Sequence, residues 1–352
     1  MKLAFFVDKV SFGGGERILQ TLISEFAKLG YDLILYTYNK EWFNITGTTY
    51  EVKILSCPPL GFIGKLKSII ELCPILKKDK PDCIIVFALN ILEAVIFAAL
   101  ISKIPVITSE RVDPRFLPTS ILHRKFKKIV YYLCSGIVFQ TDAVRNLFSY
   151  KIQQKSVVIP NMIMDDLPDI CSVRNKEIVA VGRLSSEKNF VLLIEVFSLL
   201  NRKDYKLSIY GDGPDREKLE KLIASLNMKD YIFLKGRVNQ VVDYIKNADI
   251  FVLASMHEGM PNALIEAMAM GLACVATDVP SKGCQVIINN KINGLLVPVQ
   301  NKESLLKAIT YYINNNEIKK TIQQEASNVR KTNSKDVIIP QWIEYIHQVI
   351  KH

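Results

Sequence analysis

Short apolar runs alternate along this chain with longer stretches whose apolar positions recur at helical spacing. The runs Leu3–Val7, Asp32–Tyr38, Val52–Leu55, Ile84–Phe87, Pro105–Thr108, Ile137–Thr141 and Val157–Asn161 predict buried strands. Between them Ile18–Leu29, Gly61–Leu76, Ile91–Ser102 and Ala143–Phe148 read as helices, the first stopped at Gly30 and the last capped by Asp142. Residues 164–176 are polar, lack periodicity and contain a proline, which predicts a linker. The alternation then restarts. Strands are expected at Ile178–Val181, Lys206–Tyr210, Tyr231–Lys235, Ile250–Ala254, Leu272–Thr277 and Leu295–Val297. Helices are expected at Phe190–Leu200, Asp215–Leu226, Val241–Asn247, Ala263–Met270, Glu303–Tyr312, Ile318–Val329 and Pro340–Ile350. Apolar strands joined by helices imply parallel sheets covered on both faces, so the fold class is α/β with two Rossmann-like domains. The 352 residues suit two domains, taken here as 1–165 and 166–337.

The stretch Ser255–Asp278 concentrates the chemistry. It runs from a strand through a turn holding Glu258, Gly259, Met260 and Pro261, then from Asn262 into a helix ended by Gly271, then into another strand. In open α/β sheets, ligands bind beyond the carboxyl ends of the strands, where this turn lies. The free N–H groups at the helix start favour an anion. Glu266 sits inside that helix among Leu264, Ile265, Ala267, Met268 and Ala269, which leave almost no polar face. A carboxylate on a helix buried all round points to a ligand rather than to surface decoration. A diphosphate for the helix end and vicinal hydroxyls for the two carboxylates describe a nucleotide sugar. Earlier, the glycine-rich run Ser11-Phe12-Gly13-Gly14-Gly15 falls between strand and helix, where backbone can approach a phosphate or sugar. It matches neither the dinucleotide fingerprint nor a P-loop. Arg183 and Lys188 leave the end of the Ile178–Val181 strand together and can neutralise a leaving diphosphate.

Glu258 and Glu266, separated by seven residues within EGMPNALIEAMAMGLACVATD, resemble the paired glutamates of the retaining glycosyltransferases of family 4, in particular members that build bacterial surface polysaccharides. GRLSSEKN around Arg183 and Lys188 is similar to that family's diphosphate-binding loop, and GGGER to its loop facing donor and acceptor. The resemblance implies a GT-B-type fold, two Rossmann-like domains facing across a cleft, with the C-terminal helix of about 338–352 crossing back to the first domain. It implies a donor, a UDP-sugar, bound by Gly14, Gly15, Gly211, Val238, Gly259, Met260, Pro261, Asn262 and Glu266. Glu258, Arg183, Lys188 and Arg111 would carry catalysis. Many family members have a histidine where this chain has Arg111, next to Glu110. A structural ion pair between Glu110 and Arg111 is the alternative to an acceptor-side role. The implied acceptor is a polyprenyl-diphosphate-linked glycan or polysaccharide. An NAD-linked dehydrogenase and a non-catalytic sugar-nucleotide-binding module are the alternatives to a transferase.

Composition narrows the setting. The seven cysteines are odd in number and form no C-x-x-C pair, and the four histidines are scattered, so reduced core thiols and no metal site are expected. No D-x-D occurs, which predicts a metal-independent reaction with no cofactor beyond the donor. No apolar stretch reaches the ~20 residues that span a bilayer, and the first run is too short for a signal peptide. Net charge is +10, of which residues 1–165 carry +7, from 21 basic and 14 acidic side chains. No nucleic-acid module is visible. Two basic-aromatic or basic-apolar segments, Gly61–Leu76 and His123–Tyr132, predict instead an anionic membrane surface as partner of the first domain. A cytoplasmic protein, peripheral on the inner face of the cell membrane, is the expectation.

Overall fold

A computed structural model describes residues 1–7, 14–38, 50–87, 89–116, 121–164 and 167–351. The chain divides into two units. Met1–Met162 together with Lys335–His352 form the first, and Ile163–Ser334 the second.

The first unit is built on seven parallel strands: β1 (Lys2–Val7), β2 (Asp32–Thr37), β3 (Glu51–Ile54), β4 (Cys83–Val86), β5 (Val106–Glu110), β6 (Gly136–Phe139) and β7 (Ser156–Val158), in the order β3-β2-β1-β4-β5-β6-β7. Side chains alternate between the faces. Leu3 and Phe5 join one core with Trp342, Tyr345 and Ile346 of the C-terminal helix, while Ala4 and Phe6 join the other with Leu72, Leu76 and Tyr131. The C-terminal helix, Lys335–Lys351, is pinned by Tyr345, whose hydroxyl accepts from the Ile137 amide at 2.7 Å and donates to the Lys155 carbonyl at 2.6 Å. It begins before Pro340, which therefore lies inside the helix rather than at its start.

The second unit has six parallel strands: β8 (Asn175–Val181), β9 (Lys206–Tyr210), β10 (Ile232–Gly236), β11 (Ala248–Leu253), β12 (Ala273–Thr277) and β13 (Leu295–Val297), in the order β10-β9-β8-β11-β12-β13. Ile178 and Ala180 face the core formed with the helix Phe190–Leu199, and Val179 faces the one formed with the helix Asn262–Ala269. The chain winds outward from β8 through β9 and β10, then returns to β11 on the other side of β8. That reversal is the topological switch point, outside whose carboxyl ends a ligand crevice forms.

Several local expectations change. Gly14 and Gly15 form the first turn of the helix Gly14–Lys28 rather than a loop, because once the chain leaves β1 the apolar period already runs at helical spacing; Ser11–Gly13 lie outside the described residues. Thr141, not Asp142, caps the helix Asp142–Arg145, its hydroxyl accepting from the Val144 amide at 3.1 Å. The single helix expected over 318–329 is two, Asn316–Ala326 and Val329–Thr332. In the helix Ile121–Leu133, Lys127 and Tyr131 share one face and turn inward to Glu110, so they are buried rather than presented to a membrane; Tyr132 is exposed. The cysteines are free thiols, and burial pushes Cys83 and Cys134 up to about 12, where they stay protonated and unreactive.

One buried ion pair secures the base of the second sheet. Lys319 donates to Asp249 Oδ2 at 2.6 Å, and Tyr205 donates to the same oxygen at 2.7 Å, with both charged side chains under a tenth exposed. Removing one member strands the other charge. Lys319→Met is expected to cost ~3 kcal/mol or more in urea unfolding of the second unit, and Lys319→Met/Asp249→Asn to recover most of it. A single variant with an unchanged unfolding midpoint would show that the pair is not holding this face.

Candidate active site at the carboxyl ends of the second sheet

The loops that leave β8, β9, β10 and β11 are knitted by their backbones. Gly182 donates to the Tyr210 carbonyl at 2.9 Å, Leu184 to Asp212 at 3.0 Å, Gly211 to Gly236 at 2.8 Å and Met256 to Glu187 at 2.8 Å. Contact is so close that Gly211, at φ +137°, could not carry a side chain, since a Cβ there would lie 1.9 Å from the Gly182 carbonyl oxygen. The loop after β12 is pressed on the next one in the same way. A Cβ on Gly283 would lie 1.6 Å from the Gly259 carbonyl oxygen, which also accepts from Ser281 Oγ at 3.3 Å. Loops that would otherwise be the most mobile parts of the fold are thereby held in place.

This frame brings two of the expected site residues together across the switch point. Lys188, from the β8 loop, donates to Glu258 Oε1, from the β11 loop, at 2.6 Å. Both side chains are largely buried, at 20% and 11% exposure. The same oxygen accepts from Ser255 Oγ at 2.7 Å, and Ser255 is fully buried, its own carbonyl accepting from Thr277 Oγ1 at 2.6 Å. Glu258 Oε2 accepts no hydrogen bond from the described residues. Arg183, two residues past β8, is exposed, and its guanidinium makes no hydrogen bond or ion pair among the described residues.

The helix Asn262–Ala269 begins immediately beyond. Pro261 stands at its N-cap and offers no capping side chain, and no acidic residue lies in its first turn. Its other end is treated oppositely. Arg174 donates to the Met270 and Gly271 carbonyls at 2.7 and 3.0 Å, and Arg330 donates to the Ala269 carbonyl at 2.6 Å. Two guanidinium groups thus complement the negative end of the helix dipole, while the positive end keeps its charge for whatever meets it. Glu266 is 4% exposed and belongs to the buried part of this helix. Met260 is buried, and Val238 packs partly buried against the same core. Sequence reasoning assigned no role to Ser255, Thr277, Arg174, Arg330 or Gly283. Only Ser255 left a signal, the three-residue spacing to Glu258 in a turn, which suits a side-chain clasp.

In the first unit the expected acceptor-side residues separate. Glu110 forms a buried ion pair with Lys127 and accepts from the Tyr131 hydroxyl at 2.7 Å, so it makes no ion pair with Arg111. Arg111 instead donates to Asn161 Oδ1 and lies over the Phe87 ring, 4.3 Å from its centroid. Gly14 and Gly15 start the first helix, which follows β1 in the chain.

Two Rossmann-like units with fully parallel sheets are the architecture of the GT-B class. Two family models match the chain, glycosyltransferase family 4 over residues 12–167 and glycosyl transferases group 1 over residues 172–329, and between them they span most of it. The chain belongs to this two-domain glycosyltransferase family. It is 28% identical over 350 residues to an uncharacterized glycosyltransferase of Haemophilus influenzae, covering 97% of this chain and 98% of the relative. It is 25% identical over 363 residues, 99% of each chain, to the GalNAc-alpha-(1->4)-GalNAc-alpha-(1->3)-diNAcBac-PP-undecaprenol alpha-1,4-N-acetyl-D-galactosaminyltransferase of Campylobacter jejuni. The fold superimposes on Anabaena HepE in complex with UDP and glucose with a TM-score of 0.83, at 16% identity, over 99% of this chain and 100% of that one. The dehydrogenase alternative finds no support in these likenesses.

Ser255 gives the site a direct test. A hydrogen bond to a charged group contributes ~1.5–3 kcal/mol, and its loss leaves Glu258 held by Lys188 alone. Ser255→Ala is expected to lower the stability of the second unit by about that amount in chemical denaturation. A loss indistinguishable from zero would remove Ser255 from the site.

Proposed function

We propose that this glycosyltransferase moves a hexose or N-acetylhexosamine from a UDP-sugar to a lipid-linked glycan or polysaccharide acceptor, with retention at the anomeric carbon and without a metal. The observation that carries the reading is the Lys188–Glu258 pair at the switch point, with Glu258 Oε2 left open beside the uncapped helix start. In the transfer, the bond from the anomeric carbon to the β-phosphate oxygen breaks as a bond to an acceptor hydroxyl oxygen forms. The acceptor's hydroxyl proton passes to the departing β-phosphate oxygen, and UDP leaves. Negative charge grows on the leaving β-phosphate. Arg183 and Lys188, with the N–H groups of the Gly259–Asn262 turn, would meet that charge where it develops. Glu258 would take the donor sugar's hydroxyls through Oε2, held in register by Ser255 and Lys188. Glu266 would hold the ribose, and backbone at Gly211 and Val238 the rest of the nucleotide. Gly14 and Gly15 would face the donor diphosphate and the acceptor, and Arg111 would belong to the acceptor half of the reaction. The undecaprenyl-diphosphate-linked acceptor named for the Campylobacter relative and the UDP named for the HepE complex support this choice of substrates.

The helix Gly61–Asp79 supports a membrane partner. Its inner face is fixed by Leu72 and Leu76, by Tyr38 on Ser68, and by Asp79, which accepts from the Tyr36 hydroxyl at 2.6 Å. Its outer face presents Phe62, Ile63, Leu66 and Ile70, with Leu60 just before it, all between 46% and 78% exposed, and Lys67 lies among them. Apolar side chains in that number on one exposed helix face, flanked by lysines, suit the headgroup boundary of an anionic bilayer. No helix among the described residues is long and apolar enough to cross a membrane. The protein would therefore work peripherally on the membrane surface that holds a lipid-linked acceptor.

Three experiments test this. With UDP-sugars and a polyprenyl-diphosphate-linked glycan, transfer should proceed undiminished in EDTA and give the same anomeric configuration as the donor, read by NMR. Glu266→Ala should weaken UDP binding by more than ~1 kcal/mol. Inversion, restoration by Mn²⁺ alone, or unchanged UDP affinity each contradicts its part of the assignment. For the membrane, Phe62→Ser/Ile70→Ser should reduce co-sedimentation with acidic liposomes at low salt by roughly fivefold or more. Equal retention of wild type and variant would dismiss the outer face as the contact.

A further inference from the structure

Arg111, in the first unit, makes no ion pair among the described residues. The two carboxylates in its own segment are committed elsewhere. Glu110 is taken by Lys127 and Tyr131. Asp113 is taken by Arg115, whose Nε donates to Oδ1 at 2.9 Å and whose Nη2 donates to Oδ2 at 2.6 Å. Consecutive residues at the end of β5 point to opposite faces. Glu110 enters the core that contains Tyr131, whereas Arg111 turns toward Phe87, which packs with the other core.

What Arg111 meets there is neutral. One Nη donates to Asn161 Oδ1, an oxygen that also accepts from Gln140 Nε2 at 2.6 Å. Its guanidinium carbon lies over the Phe87 ring, and its Nε, out of reach of solvent, has no hydrogen-bond partner among the described residues. Phe87 follows β4, Gln140 follows β6 and Asn161 follows β7, so four neighbouring strand ends converge on this guanidinium. Burial without a counter-charge drives its pKa down to about 9. An arginine shielded from solvent between an aromatic ring and an amide, with donors to spare and no carboxylate partner among the described residues, is costly unless an anion completes it. Its planar fork matches two oxygens of one phosphate, which a lysine or histidine cannot do.

We infer that Arg111, positioned by Phe87, Asn161 and Gln140, is a receptor for the diphosphate group of the lipid-linked acceptor. This rests on the acceptor chemistry proposed above, but the receptor itself can be tested apart from it. A diphosphate also occurs in UDP, and the experiment separates the two sources. Affinities of wild type, Arg111→Met and Arg111→Lys for farnesyl diphosphate, inorganic pyrophosphate and UDP are measured by calorimetry at low salt, with the melting midpoint of each protein recorded.

The expected result is a tenfold or greater loss of farnesyl diphosphate affinity in Arg111→Met, partial recovery in Arg111→Lys, and UDP affinity within twofold throughout. If pyrophosphate affinity falls in Arg111→Met but farnesyl diphosphate binds no more tightly than pyrophosphate, the receptor stands and the lipid acceptor does not. Unchanged farnesyl diphosphate and pyrophosphate affinity in a folded Arg111→Met protein overturns the receptor. So does an equal loss for UDP, which would assign Arg111 to the donor. If Arg111→Met does not fold, Arg111→Lys decides: full retention of farnesyl diphosphate affinity together with wild-type UDP binding would show that the fork is not used.

Discussion

An ion pair between two loops, Lys188 to Glu258, is the contact around which the second unit is arranged. Its partners come from strands adjacent in the sheet but about seventy residues apart in the chain, and only the return of β11 beside β8 brings them within reach. The pair is largely shielded from water, so neither charge is dissipated into solvent, and the shared oxygen is fixed by a second donor from Ser255. A pair of this kind is not a large source of stability, because desolvation offsets much of the attraction. Its value lies in geometry. A lysine and a carboxylate are held a few ångströms apart at the mouth of the crevice, one suited to phosphate and the other to hydroxyls. That geometry holds only while the surrounding loops do not move, which explains backbone contacts tight enough to forbid a Cβ at Gly211 and at Gly283.

The helix Asn262–Ala269 extends the same logic along its axis. Each helix leaves N–H groups at one end and carbonyls at the other that need partners. Here the carbonyl end is served by Arg174 and Arg330, drawn from the two margins of the unit, while the amide end begins at a proline that cannot serve it. The asymmetry suits an anion whose charge increases during reaction. Had an aspartate capped the start, the site would have been neutralised before any ligand arrived.

Much of this was legible in the sequence, and the reasons can be stated residue by residue. The central strands of both sheets are buried on both faces, so they show as unbroken apolar runs, whereas the edge strand β3 leaves Val52 and Ile54 exposed. The helix around Glu266 is apolar all round, so its burial was visible too. What pattern alone could not supply was the identity of partners far apart in the chain. Lys188 and Glu258 were each expected to meet a ligand, and nothing in their local sequence says that they meet one another. Arg174 fell within the expected linker and Arg330 just past an expected helix, and neither drew a role, because their acceptors are backbone carbonyls, which carry no sequence signature. The glycine run before the first helix was read as a loop because glycine permits one, yet Gly14 and Gly15 are helical.

The segment from Lys127 to Tyr131 shows how one buried carboxylate reorganises a reading made from periodicity. Lysines beside tyrosines suggest a membrane face, and four residues apart they do lie on one side of a helix. That side faces Glu110, which sits at the end of a central strand with its side chain in the core. A buried carboxylate requires a counter-charge and a donor, and Lys127 and Tyr131 supply both. Two consequences follow from that one requirement. The helix Ile121–Leu133 loses these two side chains as membrane contacts, whereas the helix Gly61–Asp79 exposes Phe62, Ile63, Leu66 and Ile70 on its outer face. And Arg111, deprived of the neighbour that would have neutralised it, lies beside Phe87 and Asn161 with no ion pair among the described residues.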